Sequence, residues 1–386
     1  MNNSFSCEPY SIIKGDALDV LKRLQTRVDC VVTSPPYFHQ RSYGTSTAEL
    51  GREPSVGEYV NNLVNVFKAV SLAPWASIWV NIGDKRGKKG ELLRIPHLLA
   101  DAMAEMGLFL IDEVVWAKES VRIDGTSVGQ AMIEPAPLRL NGNGHEPLFR
   151  FVVDPKQAWS DTCAVRIPRQ NVGDVRYLPE ELMKCHTSLE GRNASNVWNV
   201  PMGQTRASHY AVFPPALIER PVAMTCPLEI TEEGPRSRRV AMVPYEEGRP
   251  YKRGVGKYTK PQDEIRSKSG RQDTGRSYVP RKPVTTGWEP NLPVIRRGIV
   301  LDPFCGTATA GEVALKLGRH FIGIELYDEY AEIAEERCRQ AYRLRSTFEA
   351  ENLSAVSGET LNETMPDEPS CGPDSENTGI QSHAEL

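Results

Sequence analysis

Gly298-Ile299-Val300-Leu301-Asp302-Pro303-Phe304-Cys305-Gly306-Thr307 opens the stretch that decides the fold of this 386-residue chain. An apolar run enters an acid and then a glycine-bearing turn. Helical spacing follows over Thr309–Leu317, then an apolar strand Phe321–Glu325, then a helix over Glu329–Arg345. Strand, tight turn, helix, strand and terminal acid is the plan of a nucleotide-type binding unit. Gly306 lets a ligand approach the backbone, and the N-terminus of the next helix favours an anionic group. Glu325 stands where an acid binds the two hydroxyls of a ribose. The turn lacks GxGxxG, which argues against a nicotinamide dinucleotide.

The same alternation fills the N-terminal half. Strands are expected at Tyr10–Ile13, Asp29–Val32, Ser77–Ile82 and Phe109–Trp116, and helices over Ala17–Leu24, Val56–Val70 and Leu92–Met106. Strands alternating with helices predict a parallel α/β sheet. Regularity falters after Lys118, although Phe149–Val153 reads as a further strand and Pro215–Met224 as a helix. Asp16, at the end of the first strand, reads either as a helix cap or as a partner for an adenine amine.

Thr33-Ser34-Pro35-Pro36-Tyr37, directly after the Asp29–Val32 strand, describes a small chemical device. The two prolines end the strand sharply. Ser34 Oγ and the Pro35 carbonyl offer two acceptors to an exocyclic –NH2, and Tyr37 offers a ring for the base that carries it. The polar stretch 38–54 is expected to lie over such a site.

Net charge is only −4 and does not announce a nucleic-acid binder, but its distribution says more. Between Arg236 and Arg297, Lys and Arg clearly outnumber Asp and Glu, with Tyr251, Tyr258, Tyr278 and Trp288 interleaved, which suits a polyanion. From Glu349 onward acids occur without any Lys or Arg, and that tail is expected to be disordered. The eight cysteines form no CxxC pair, so neither a zinc ribbon nor a redox dithiol is indicated and no metal site is expected. No run approaches membrane-spanning length and no apolar segment follows a basic start, as expected of a reduced, cytoplasmic protein.

Taken together and in this order, the Ser-Pro-Pro-Tyr and Asp-Pro-Phe-x-Gly motifs resemble those of the permuted (β-type) DNA amino-methyltransferases, which use S-adenosyl-L-methionine. Gly15-Asp16, Trp79–Asp84, Trp116-Ala117-Lys118, Asn143–Glu146 with Phe149–Phe151, Val197-Trp198 and His209–Pro214 fit the same pattern. The resemblance implies a Rossmann-like S-adenosylmethionine-dependent methyltransferase fold of α/β class. Its motif order is circularly permuted, with target-recognition and basic segments inserted. Residues 1–153 would then be the catalytic half, 154–206 the target-recognition region and 207–227 a cofactor-closing segment. Residues 228–297 would be a basic irregular insertion, 298–346 the cofactor-binding half and 347–386 the acidic disordered tail.

The roles implied by this resemblance are position by position. Ser34, Pro35, Pro36 and Tyr37 would be catalytic. Asp302, Phe304, Gly306 and Thr307 would form the cofactor loop, Glu325 would bind the ribose and Asp16 would stand beside the adenine. His209 and Phe213 would belong to the closing segment. Double-stranded DNA is the implied partner, with a restriction endonuclease as a partner in the cell. In the resembled family Ser at the first catalytic position goes with cytosine N4, and Asp or Asn with adenine N6. The expectation is therefore a cytosine-N4 enzyme, with adenine N6 as the alternative. A catalytically inactive nucleic-acid-binding protein is the rival of a different class. Carbon-5 methylation of cytosine needs a thiolate from a Cys that follows a Pro, and no Cys here does.

Overall fold

The computed structural model describes residues 9–40, 49–118, 144–165, 194–202, 213–244 and 281–359, and a short strand pair at Ser120–Val121 and Ser127–Val128. The N-terminal elements are β1 (Tyr10–Lys14), α1 (Ala17–Arg23), β2 (Val28–Thr33), α2 (Val56–Lys68), β3 (Leu72–Asn81), α3 (Ile95–Glu105) and β4 (Phe109–Ala117). Next come β5 (His145–Val152), β6 (Val197–Asn199), α4 (Pro215–Thr225), β7 (Glu229–Thr231), β8 (Gly234–Pro235), β9 (Ser237–Pro244), β10 (Arg281–Glu289) and β11 (Arg296–Arg297). The chain continues through β12 (Ile299–Asp302), α5 (Thr309–Lys316), β13 (His320–Glu325) and α6 (Asp328–Glu359).

The central sheet has eight strands in the order β1-β13-β12-β2-β3-β5-β4-β6. The alternation predicted a parallel sheet, and this is corrected at one strand: β5 runs against both of its neighbours, while every other pair is parallel. An antiparallel strand needs no crossover helix, so it can enter where the helical periodicity of the sequence stops.

Both faces of the sheet are covered, which is why β2 is buried at every position. Val31, Ile78, Val80, Leu301 and Ile322 pack with α1, α2 and α3 in one core. Their alternates Cys30, Val32, Trp79, Val300 and Phe321 pack with α4, α5 and α6 in the other. The result is a Rossmann-like α/β sandwich. Helix starts follow local chemistry: Asp16 Oδ1 accepts from Asp19 N at 3.0 Å to cap α1, and Ser55 Oγ caps α2 from Glu58 N at 3.2 Å.

The 228–297 segment, expected to be irregular, carries strands at both of its described ends. β8, β7 and β11 make a small antiparallel sheet, and β9 pairs with β10 from Ser237↔Glu289 to Pro244↔Arg281. Composition averaged over the segment hides the short run Val240-Ala241-Met242-Val243, which has strand character. Residues 245–280 lie outside the described residues. The segment is tied to the core at Asp29, a fully buried residue of β2. Its carboxylate receives a bidentate contact from Arg296, Trp75 Nε1 at 2.9 Å and Ile299 N at 2.8 Å.

The last helix corrects a second expectation. α6 continues to Glu359, past the point at 347 where disorder was expected. Glu and Ala favour a helix locally even where apolar content is low. Residues 360–386 lie outside the described residues, as do 166–193 and 203–206 of the expected target-recognition region. Among the described residues no helix is long and apolar enough to cross a membrane.

Candidate active site

β12 continues through α5 into β13 on one side of the sheet, whereas β2 continues through α2 into β3 on the other. Strand order therefore reverses between β12 and β2, and a crevice opens beyond their carboxyl ends. The proline motif leaves β2 at this point and the Gly306 turn leaves β12. A cavity of about 290 Å³ lies here.

Ser34, Pro35, Pro36 and Tyr37 line it together with Asp16, Phe304, Gly306, Thr307, Glu325 and Phe213. Gln40, Glu49 and Leu50, at the described ends of the 38–54 loop, also line it. Asp302 does not: it is buried behind the loop, where Oδ1 accepts from Thr33 Oγ1 at 2.6 Å and from Phe304 N at 3.1 Å. Its place is that of a brace under the turn. His209 lies outside the described residues.

On the β12 side, Gly306 takes φ +51°, and a Cβ built there would meet no atom within 4 Å. Only glycine adopts this conformation without cost while leaving the backbone open to the cavity. Gly306 N donates to Glu325 Oε2 and Tyr327 N to Glu325 Oε1, each at 2.9 Å. Each carboxylate oxygen has two lone pairs, so the acid keeps acceptor capacity for sugar hydroxyls. Burial raises the Glu325 pKa, against the lowering effect of the backbone N–H groups. Burial likewise raises Asp302 from 3.8 to about 7, with the Thr33 and Phe304 contacts pulling it down and Glu325 pushing it further up. β1 brings Asp16 alongside, since Gly15 N donates to the Glu325 carbonyl at 2.9 Å. An acid held by two backbone donors, a second acid beside it and the rings of Phe304 and Tyr327 fit an adenosyl group.

On the other side a hydrogen-bonded chain runs along the cavity wall. Ser34 Oγ donates to Tyr37 OH at 3.4 Å, and Tyr37 OH donates to Glu146 Oε2 at 2.9 Å. Lys118 Nζ pairs with Glu146 Oε1 and sits 4.9 Å over the Trp116 ring. Burial first, and then the Glu146 charge, pushes the Tyr37 hydroxyl well above its ordinary value, so it keeps its proton. Tyr59 OH donates to the Pro36 carbonyl at 2.7 Å and pins the turn.

A family model described as DNA methylase matches residues 28–229 and 291–336. The chain belongs to the DNA methylase family. The Type II methyltransferase M.SmaI of Serratia marcescens is 24% identical over 367 residues, 87% of this chain and 92% of its own length. M.Cfr9I of Citrobacter freundii is 27% identical over 358 residues, 85% and 87% of the two chains. A solved structure of the PvuII DNA methyltransferase (cytosine-N4-specific) matches with a TM-score of 0.48 and 16% identity, covering 87% of this chain and 92% of that one.

The stretch of the methylase that the family model passes over, 230–290, holds β8, β9 and β10. The ribbon thus falls between the two matched parts. Sequence reading assigned no role to Asn81, Trp116, Lys118 or Glu146, which line the same cavity. Their signal was present as position, since each stands at or just beyond the end of β3, β4 or β5 that faces the crevice. Which of these polar residues meet one another is a matter of sheet order.

Proposed function

We propose that this DNA methyltransferase moves a methyl group from S-adenosyl-L-methionine to the exocyclic N4 of a cytosine flipped out of duplex DNA. The observation that carries the reading is Ser34, at the end of β2, sharing one cavity with Gly306 and Glu325. The methyl donor is S-adenosylmethionine, whose sulfonium supplies an electrophilic methyl group for in-line displacement. Glu325 and Asp16 bind the adenosyl part, and the Gly306 turn admits it close to the backbone.

The remaining work is positioning. An exocyclic amine is a poor nucleophile because its lone pair is delocalised into the ring. Ser34 Oγ and the Pro35 carbonyl accept its two N–H groups and draw the nitrogen towards tetrahedral geometry. The carbonyl dipole also offsets the positive charge that develops there; the C–S bond breaks to leave S-adenosylhomocysteine, and the methylated nitrogen then releases one N–H proton to solvent. The base must leave the stack to reach the cavity, where Tyr37 packs on it. Lys and Arg of the 236–297 segment meet the phosphates, and residues 154–206 read the target sequence. Ser at position 34 favours cytosine N4 over adenine N6 through the resemblance, since in that family Ser at the first catalytic position goes with cytosine N4. The same reading places the enzyme in the cytoplasm with a restriction endonuclease as its counterpart, in keeping with the Type II names of M.SmaI and M.Cfr9I.

The test is mass spectrometry of nucleosides from unmethylated duplex DNA incubated with the protein and S-adenosylmethionine, run beside Ser34→Ala. N4-methylcytosine that disappears in the variant is the expected result. N6-methyladenine would overturn the choice of base and keep the mechanism. No methylated base would overturn catalysis on DNA and leave a protein that only binds.

A further inference from the structure

We propose that Glu146 is a positioning residue for methyl transfer: through the Tyr37 hydroxyl, its carboxylate turns the Ser34 proton away from the substrate and leaves Ser34 Oγ an acceptor. This rests on the role given to Ser34 above.

A serine hydroxyl is donor and acceptor at once, and its rotor alone chooses neither. Facing an –NH2 group it serves only as an acceptor, so its own proton must be engaged elsewhere. The chain Ser34 Oγ to Tyr37 OH to Glu146 Oε2 does this, and its direction is set at the far end. A carboxylate only accepts, so it compels Tyr37 to donate. The phenol oxygen then has lone pairs to offer and receives the Ser34 proton. Asn81 cannot reverse this. Its Nδ2 is committed to the Pro147 carbonyl at 3.1 Å, so it presents Oδ1, a second acceptor, 3.3 Å from Tyr37 OH.

The supporting frame is rigid. Glu146 of β5 stands directly opposite Trp116 of β4 in the antiparallel register, and Asn81 stands opposite Leu148. Lys118 and Glu146 are only 17% and 13% exposed, and the Lys118 ammonium holds the oxygen that Tyr37 does not use. Gly83 makes room for the arrangement, since a Cβ there would lie 2.8 Å from Tyr37 Cε2 and 3.0 Å from Glu146 Oε1. Sites built on strands hold such geometry better than sites built on loops.

Glu146→Gln keeps the shape but brings N–H donors, which permit the opposite polarity. Its kcat should fall about 10- to 100-fold, the range for one hydrogen bond to a charged group. The KM for duplex DNA and the calorimetric Kd for S-adenosylmethionine should each stay within about threefold of the parent. Tyr37→Phe removes the link and keeps the ring, so the double variant should be no slower than Tyr37→Phe alone. A Glu146→Gln enzyme with parental kcat overturns the proposal, and so do losses that multiply in the double variant. Should Glu146→Gln fail to fold, Tyr37→Phe decides by itself, because an unchanged kcat there means that no such chain is used. Full activity of Ser34→Ala would instead overturn the reading of Ser34, and that outcome is distinguishable from the others.

Discussion

The Thr33 hydroxyl donates to the buried Asp302 carboxylate at 2.6 Å, joining residues 269 positions apart. β2 and β12 are parallel neighbours, paired Cys30↔Val300 and Val31↔Leu301, so their ends emerge side by side. Thr33 immediately precedes Ser34. Asp302 heads the Gly306 turn and also holds Phe304 N. One carboxylate therefore ties the start of the Ser34 motif to the Gly306 loop.

Thr33→Val keeps the shape and removes that donor. The buried acid loses one of its two hydrogen bonds, and the fold should lose about 1–3 kcal/mol. Affinity for S-adenosylmethionine should fall as well, because the loop loses its brace. Thermal denaturation and calorimetry read the two effects; a variant unchanged in both would show that the turn stands without Asp302.

Asp302 also makes stability depend on pH. Its folded pKa, raised to about 7 chiefly by burial, exceeds the ordinary 3.8. Between these values the folded state binds the extra proton, so stability falls as pH rises and the cost is complete above about 7. Asp302→Asn keeps an acceptor for Thr33 and carries no charge. The variant should show a flatter loss of thermal midpoint between about pH 4 and about pH 7 than the parent. Equal slopes would refute the account of the buried acid.

Glu325→Gln should separate the cofactor from the nucleic acid. Both carboxylate oxygens already accept backbone N–H groups, from Gly306 and Tyr327. An amide keeps one acceptor oxygen and turns a donor on the other N–H. Affinity for S-adenosylmethionine should drop about 10- to 100-fold, the loss of one charge-assisted hydrogen bond. Duplex DNA affinity, measured without cofactor, should not change.

Arg296→Met tests the anchor of the inserted segment. It leaves the Asp29 carboxylate, wholly inaccessible to solvent, without its cation. Trp75 and Ile299 would still donate. Breaking a buried pair from one side costs about 3–5 kcal/mol. A thermal midpoint unchanged by the substitution would mean that the segment adds nothing to the core.

Much of this molecule is written in contiguous residues. The period of Val60, Leu63, Val64 and Phe67 announced α2, and an unbroken apolar run announced β2. The chemistry of Ser34–Tyr37 and of Gly306 also lies within a few residues, because turns and glycine conformations are local matters. The β9–β10 ribbon escaped because its short apolar run was diluted by the Gly, Pro, Arg and Lys around it. The direction of β5 escaped because the apolar residues of a strand read the same in either direction.

The sequence by itself determined most elements of the central sheet and its helices, the two motifs and, through their order, the permuted family. Only the tertiary structure decided that β12 lies beside β2, that Asp302 braces the loop instead of lining the cavity, and that Glu146 reaches Tyr37 across 109 positions. The reason is physical. Periodicity and turn stereochemistry depend on neighbours along the chain, whereas strand order depends on which distant faces bury one another, and a polar partner is found only after that burial has brought it within reach.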